Sequence, residues 1–175
     1  MSEHHDKSRG IDSAEHLAAH LAELLTDRSV VICIGNDLCG DDGAGPAVAK
    51  GIAANVPWKV FDVRSAPENF LMKIVNAAPD TVLIVDALDF DAAAGAVELF
   101  ASDAITGQGP STHGPAPIAF LDLLNMMHPC RRVILGIQPV TGDFGQEMTP
   151  EVEAAVQFVA GAFLLAARGG GHHHD

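Results

Sequence analysis

Residues 30–45 read VVICIGNDLCGDDGAG. The first five are a continuous β-branched and apolar run that ends in Gly35, a pattern suited to a short strand buried on both faces. A loop rich in glycine and aspartate follows, and Pro46 fits a first helical position, with Ala47 to Ala54 continuing the helix. WKVFDV (residues 58–63) then resumes a strand. Together these segments predict one strand–helix–strand unit with its motif loop at the carboxyl end of the first strand.

The same rhythm extends in both directions. Upstream, DSAEHLAAHLAELL offers Asp12 or Ser13 as a cap and places Leu17, Leu21, Leu24 and Leu25 at helical spacing. Downstream, SAPENFLMKIVNAA predicts a helix whose first turn carries Pro67 and Glu68, and TVLIVDA predicts a second buried strand. AVELF is a shorter strand suited to a sheet edge. PIAFLDLLNMM is helical, RRVILGI is a strand, and TPEVEAAVQFVAGAFLLAAR is a capped terminal helix. Strands alternating with amphipathic helices predict a single three-layer α/β domain, with a twisted, mostly parallel sheet flanked by helices, phosphorylase/hydrolase-like in class. The domain is expected over 12–168, between a loose leader at 1–11 and a Gly/His tail at 169–175.

Composition narrows the function. The chain has 175 residues, 48% of them hydrophobic, and a formal net charge of −13 from 10 Lys+Arg and 23 Asp+Glu. That is core enough for a folded domain. No basic stripe exists to neutralise a phosphate backbone or an anionic bilayer, so neither nucleic acid nor a membrane is an expected partner. The longest apolar runs, VVICI and TVLIV, fall far short of the roughly 20 residues that span a bilayer. No secretory signal is readable, and Cys33, Cys39 and Cys130 form no CxxC pair, which points to reduced thiols in a cytoplasm.

In sheets of this kind ligands gather at the carboxyl ends of strands. The loops after VVICI, after TVLIV and after the strand near Phe61 all carry acids. In the first loop, Asp37, Asp41 and Asp42 repel the phosphate that a glycine-rich turn would otherwise suit, and neither GxGxxG nor a Walker lysine is present. Adjacent Asp41 and Asp42 point in different directions, so one is free to cap the following helix while the other faces the cleft; solvated turn aspartates are the plainer account. Asp86 ends a buried strand, where a carboxylate is costly unless exposed, paired or bound to a cation. Asp89 and Asp91 read as solvated turn residues. His113 lies in GPSTHGPAP, which offers no apolar face for a buried imidazole. Asp42, Asp86 and His113 form a two-oxygen, one-nitrogen set with the donor types for a borderline divalent metal.

Other histidines have plainer readings. His16 and His20 sit four apart on the first helix with no carboxylate clearly joining them, and a solvated face is preferred. His128 falls at a helix end, where a cation meets the dipole favourably. Cys39 has acids rather than cations nearby and there is no GxSxG elbow, which disfavours a cysteine or serine nucleophile. The terminal helix carries more apolar surface than one stripe requires; core packing accounts for it, and a homodimer through part of that surface stays open.

The ordered elements GNDLCGDDGAGP, SAPEN, LIVDA, STH and LGIQP resemble those of the hydrogenase maturation endopeptidases. The resemblance is greatest to the branch that processes large subunits of formate-hydrogenlyase-type NiFe hydrogenases, and it runs from about Val30 to Val156. GNxLxxDDGxG is the specific element. The resemblance implies an endopeptidase that removes a C-terminal extension from the large-subunit precursor after nickel insertion. It implies Asp42 as a nickel-contacting carboxylate, Asp86 as the second acid and His113 as the imidazole ligand, the three also forming the catalytic set, with Asp41 less suited to be a ligand. Nickel would come with the precursor, and no tightly bound intrinsic cofactor is expected. One departure is WKVFDVRSAPEN, where relatives have a DGG-like turn and this chain has Asp62, Val63 and Arg64; Arg64 is expected to form a surface ion pair, with a grip on a substrate carboxylate as the alternative. The competing function is a noncatalytic metal- or small-ligand-binding module on the same scaffold.

Overall fold

A computed structural model describes residues 11–102 and 116–169. His113, the leader up to residue 10 and the tail from residue 170 lie outside the described residues. The elements in chain order are α1 (Ala14–Leu24), β1 (Val30–Ile34), α2 (Ala44–Ile52), β2 (Lys59–Arg64), α3 (Leu71–Asn76), β3 (Thr81–Ala87), β4 (Val97–Ala101), α4 (Ala116–Met127), β5 (Arg131–Ile137) and α5 (Pro150–Gly169). Short 3-10 turns at Gly40–Gly43 and Pro67–Phe70 lead into α2 and α3. Two expectations shift as a result. Helix α2 starts before Pro46, which sits within its first turn where its missing N–H has no intrahelical partner to lose. Pro67 and Glu68 start a 3-10 turn that precedes α3.

The five strands form one sheet in the order β2-β1-β3-β5-β4. β1 pairs in parallel with β2 and β3, β3 pairs in parallel with β5, and β4 closes one edge antiparallel to β5. Every residue of β1 and β3 is buried. Alternation then sends Val31, Cys33, Leu83 and Val85 into a core shared with α1, α2 and α5. Val30, Ile32, Val82 and Ile84 enter a second core with α3 and α4. Each such side chain contributes about 1.5–3 kcal/mol by leaving water, which is why an unbroken apolar run can specify a central strand.

Helix α1 begins at Ser13, whose hydroxyl accepts the His16 amide at 3.0 Å. Helix α5 is long and apolar enough by length and composition to cross a bilayer, yet Val152, Val156, Val159 and Phe163 are buried in the first core. Its apolar surplus therefore goes largely to packing. Ile11, at the end of the expected leader, also rests against that core.

From β1 the chain crosses to β2 on one side, and from β3 it continues to β4 and then β5 on the other, so the connections diverge between these two neighbouring strands. A crevice opens at such a switch point, outside the carboxyl ends of the strands. The motif loop follows β1 and Asp86 is the penultimate residue of β3, so the topology sets both toward that crevice.

Candidate active site

The motif loop turns back on the strand that feeds it. The Asn36 amide donates to the Asp42 carbonyl at 3.0 Å and to the Asp42 carboxylate oxygen Oδ2 at 3.1 Å. Gly35 makes this closure sterically feasible: it adopts φ +148°, and a Cβ there would stand 2.0 Å from the Asp42 carbonyl oxygen. Gly45 serves the next turn, since a Cβ on it would lie 2.0 Å from the carbonyl oxygen of Ile34. The two glycines thus let the start of α2 lie against the end of β1.

Asp41 and Asp42 do take different directions, but neither caps α2: the cap residue is Gly43, with no side-chain hydrogen bond. Asp41 turns inward and is fully buried. Its carboxylate accepts the amides of Val140 at 2.8 Å, Thr141 at 3.1 Å and Thr149 at 2.7 Å. The Thr149 hydroxyl donates to the same group at 2.9 Å. Burial alone would raise its pKa; the amides of Thr149, Val140 and Thr141, aided by the hydroxyl, outweigh burial and hold it below the ordinary value. Three backbone bonds complete the clamp, Asp41 N to Thr141 O at 3.0 Å, Gly40 N to Gln146 O at 3.1 Å and Gly145 N to Leu38 O at 2.8 Å. The loop after β1 and the loop after β5 are therefore one unit.

Asp86 has the opposite surroundings. It is 4% exposed, and its pKa is pushed well above the ordinary value, first by burial and then by the negative charge of Asp42, with only a backbone bond at Ala87 opposing. A carboxylate of the motif turn and one of β3 thus feel one another where little water screens Asp86, and a bound cation would relieve that repulsion. The donor set fits a divalent metal on chemical grounds. Among the described residues no group of three or more His, Cys, Asp or Glu side chains gathers as a metal site; the proposed third ligand, His113, lies outside them.

Arg64 forms the expected surface ion pairs. Its Nε donates to Asp62 Oδ2 at 3.0 Å and its guanidinium also bonds Asp37. Arg64 adopts φ +55°, a left-handed conformation that glycine takes more readily. The other oxygen of Asp62 is buried without a hydrogen-bond partner. Cys33 lies in the core, and burial followed by the charge of Asp62 raises its pKa, so it stays a thiol. Asp37, Asp62 and Arg64, with Lys50, Glu147 and Met148, line a groove of about 870 Å³ beside the motif loop.

The remaining candidates have local roles. Asp12 joins His16 at 3.2 Å, and His16 meets His20 at 3.1 Å, so a carboxylate does accompany this exposed pair. The His128 ring meets the Pro79 carbonyl at 2.6 Å. Asp91 is an exposed turn residue at φ +60°. Asp89 accepts the Asp91 amide and the Gln138 side-chain amide, each at 3.1 Å. Sequence reasoning missed Gln138, which is buried and whose carbonyl oxygen accepts the amides of Phe90 and Ala92 to shape the loop after β3. It also missed Thr149, read only as part of a helix cap.

Comparison with known proteins adds a lineage to this geometry. The family described as hydrogenase maturation protease, HycI, matches residues 48–165. The chain is 37% identical over 133 residues to the hydrogenase 3 maturation protease of Escherichia coli K12, covering 74% of this chain and 85% of that protein. Among solved structures, a NiFe hydrogenase maturation protease HycI from Thermococcus kodakarensis superposes with a TM-score of 0.74 at 25% identity, over 83% of this chain and 98% of that one. The solution structure of the endopeptidase HycI from Escherichia coli gives 0.68 at 35% identity, over 75% and 86%. These relatives define a class, the α/β peptidases. Within it, this chain belongs to the hydrogenase maturation protease family, on the branch resembling the formate-hydrogenlyase-type enzymes.

Proposed function

We propose that this peptidase removes the C-terminal extension of a NiFe-hydrogenase large-subunit precursor after nickel insertion, contacting the precursor's nickel through Asp42, Asp86 and His113. The observation that carries this reading is the buried Asp86 carboxylate under the negative charge of Asp42 at the switch crevice. Burial and that like charge both disfavour an ionised Asp86, and a divalent cation arriving with the substrate would offset them. The metal belongs to the precursor, so the protease needs no resident cofactor. Its three free cysteines suit a reducing cytoplasm.

The chemistry required is addition of water across one peptide bond. The water oxygen bonds to the carbonyl carbon, the C–N bond breaks, and a proton passes to the new amine. Asp42 is held by the Asn36 amide and Asp86 by its strand, so the site is pre-oriented for a peptide placed by its nickel-bearing neighbour. A carboxylate oxygen of this pair is the group available to carry the proton from water to amine.

The test is incubation of the protein with nickel-loaded and apo-precursor, followed by mass measurement of the large subunit. Loss of the extension only from the nickel-loaded form is expected. An intact precursor, beside an active control protease, would favour the noncatalytic metal-binding reading.

A further inference from the structure

The two loops joined by Asp41 expose three large apolar side chains. Leu38 is 59% exposed, Val140 61% and Phe144 78%. Leu38 lies on the loop after β1, and its carbonyl accepts the amide of Gly145, next to Phe144. Val140 adjoins the same clamp, its amide bonded to Asp41. The exposure is thus built on a rigid base rather than on a free loop tip. The acids Asp143 and Glu147 stand exposed on the loop after β5, and Asp37, paired with Arg64, on the loop after β1. An apolar centre with a polar rim is the make-up of a protein-binding patch, and this one begins four residues from Asp42.

We propose that Leu38, Val140 and Phe144 form a docking platform for the folded body of the nickel-bearing precursor, the facing surface being apolar at its centre and basic around it. This rests on the protease reading above and deepens it: the crevice handles the metal and the scissile bond, while the platform holds the globular part of the substrate. Two observations favour that occupant. The platform is continuous with the motif loop, so it adjoins a protein whose chain enters the crevice. The acidic rim and the chain's net charge of −13 select a basic surround and disfavour a second copy of the same chain.

The test measures affinity in the cleavage-deficient Asp86→Ala background, titrating it with nickel-loaded precursor. Adding Phe144→Ser should weaken binding about tenfold, and Leu38→Ser with Phe144→Ser by more, as for anchors of an interface. Phe144→Leu should bind nearly as well as the parent, and parental affinity should fall as salt is raised. Met126→Ser is the control, since Met126 is 82% exposed near the end of α4, at the opposite end of the sheet. Circular dichroism should show each variant folded, and Val140→Ser is the substitute if the double variant is not. Unchanged affinity in the double variant overturns the platform. Self-association of the parent that the double variant abolishes also overturns it, by making a second copy the occupant. Binding through the patch without any cleavage by the wild-type chain would sink the protease reading and leave the platform standing. Equal kcat/KM for wild type and Leu38→Ser/Phe144→Ser would do the reverse.

Discussion

Two buried carboxylates, Asp41 and Asp86, are treated in opposite ways by this fold. Asp41 is met by three amides and a hydroxyl, and its pKa is lowered despite burial. Asp86 is met by burial and by the like charge of Asp42, and its pKa is raised. The first is a finished structural group that staples two loops. The second is costly to the fold as it stands, which is the usual condition of a group kept for chemistry.

The contrast is broken most severely by removing either member of the Asp42 and Asp86 pair. Asp42→Ala and Asp86→Ala should each abolish precursor processing while leaving circular dichroism unchanged, checked by the same mass measurement; Asp37→Ala should do much less. Gly35→Ala should come next, because the Cβ cannot coexist with the Asp42 carbonyl. Loss of the motif turn there should be visible as lost processing and a lowered melting temperature.

A sharper comparison comes from neutralising each buried acid. Asp41→Ala strands the amides of Val140, Thr141 and Thr149, and urea unfolding should show a loss of about 2–4 kcal/mol. Asp86→Asn removes a poorly matched charge, so stability in metal-free buffer should hold or rise, by about 1 kcal/mol, even as processing is lost. Should both substitutions destabilise equally, the distinction between the two acids would be wrong. The smallest effect is expected at Arg64→Gly, which gives up ion pairs to Asp62 and Asp37 but relieves a left-handed backbone. Its melting temperature should stay near that of the wild type.

Much of this was legible in the sequence for physical reasons. VVICI and TVLIVDA could only be central strands once both faces needed apolar cover, and the edge position of VELFA followed from its shorter run. The helix starts at Ala44 and Leu71 were less legible, because a 3-10 turn ahead of each shifts the boundary without altering the apolar spacing. Asp42 and Asp86 were visible as acids at strand ends. The role of Asp41 was hidden, since its partners lie about a hundred residues away and are mostly backbone amides, which no side-chain pattern announces. Gln138 was overlooked for a similar reason: it looks like an ordinary polar residue after a strand, and only its burial shows that it organises a loop.

On the function proposed above, Asp42 and Asp86 grip one cation together. A crystal of the chain lacking residues 169–175, soaked with cadmium, tests it most directly, because that deletion removes the adjacent tail imidazoles. An anomalous peak shared by the two carboxylates, with His113 as the third ligand, is expected, and no such peak in Asp86→Ala. A peak confined to the exposed His16 and His20 pair, with the crevice empty, would contradict it.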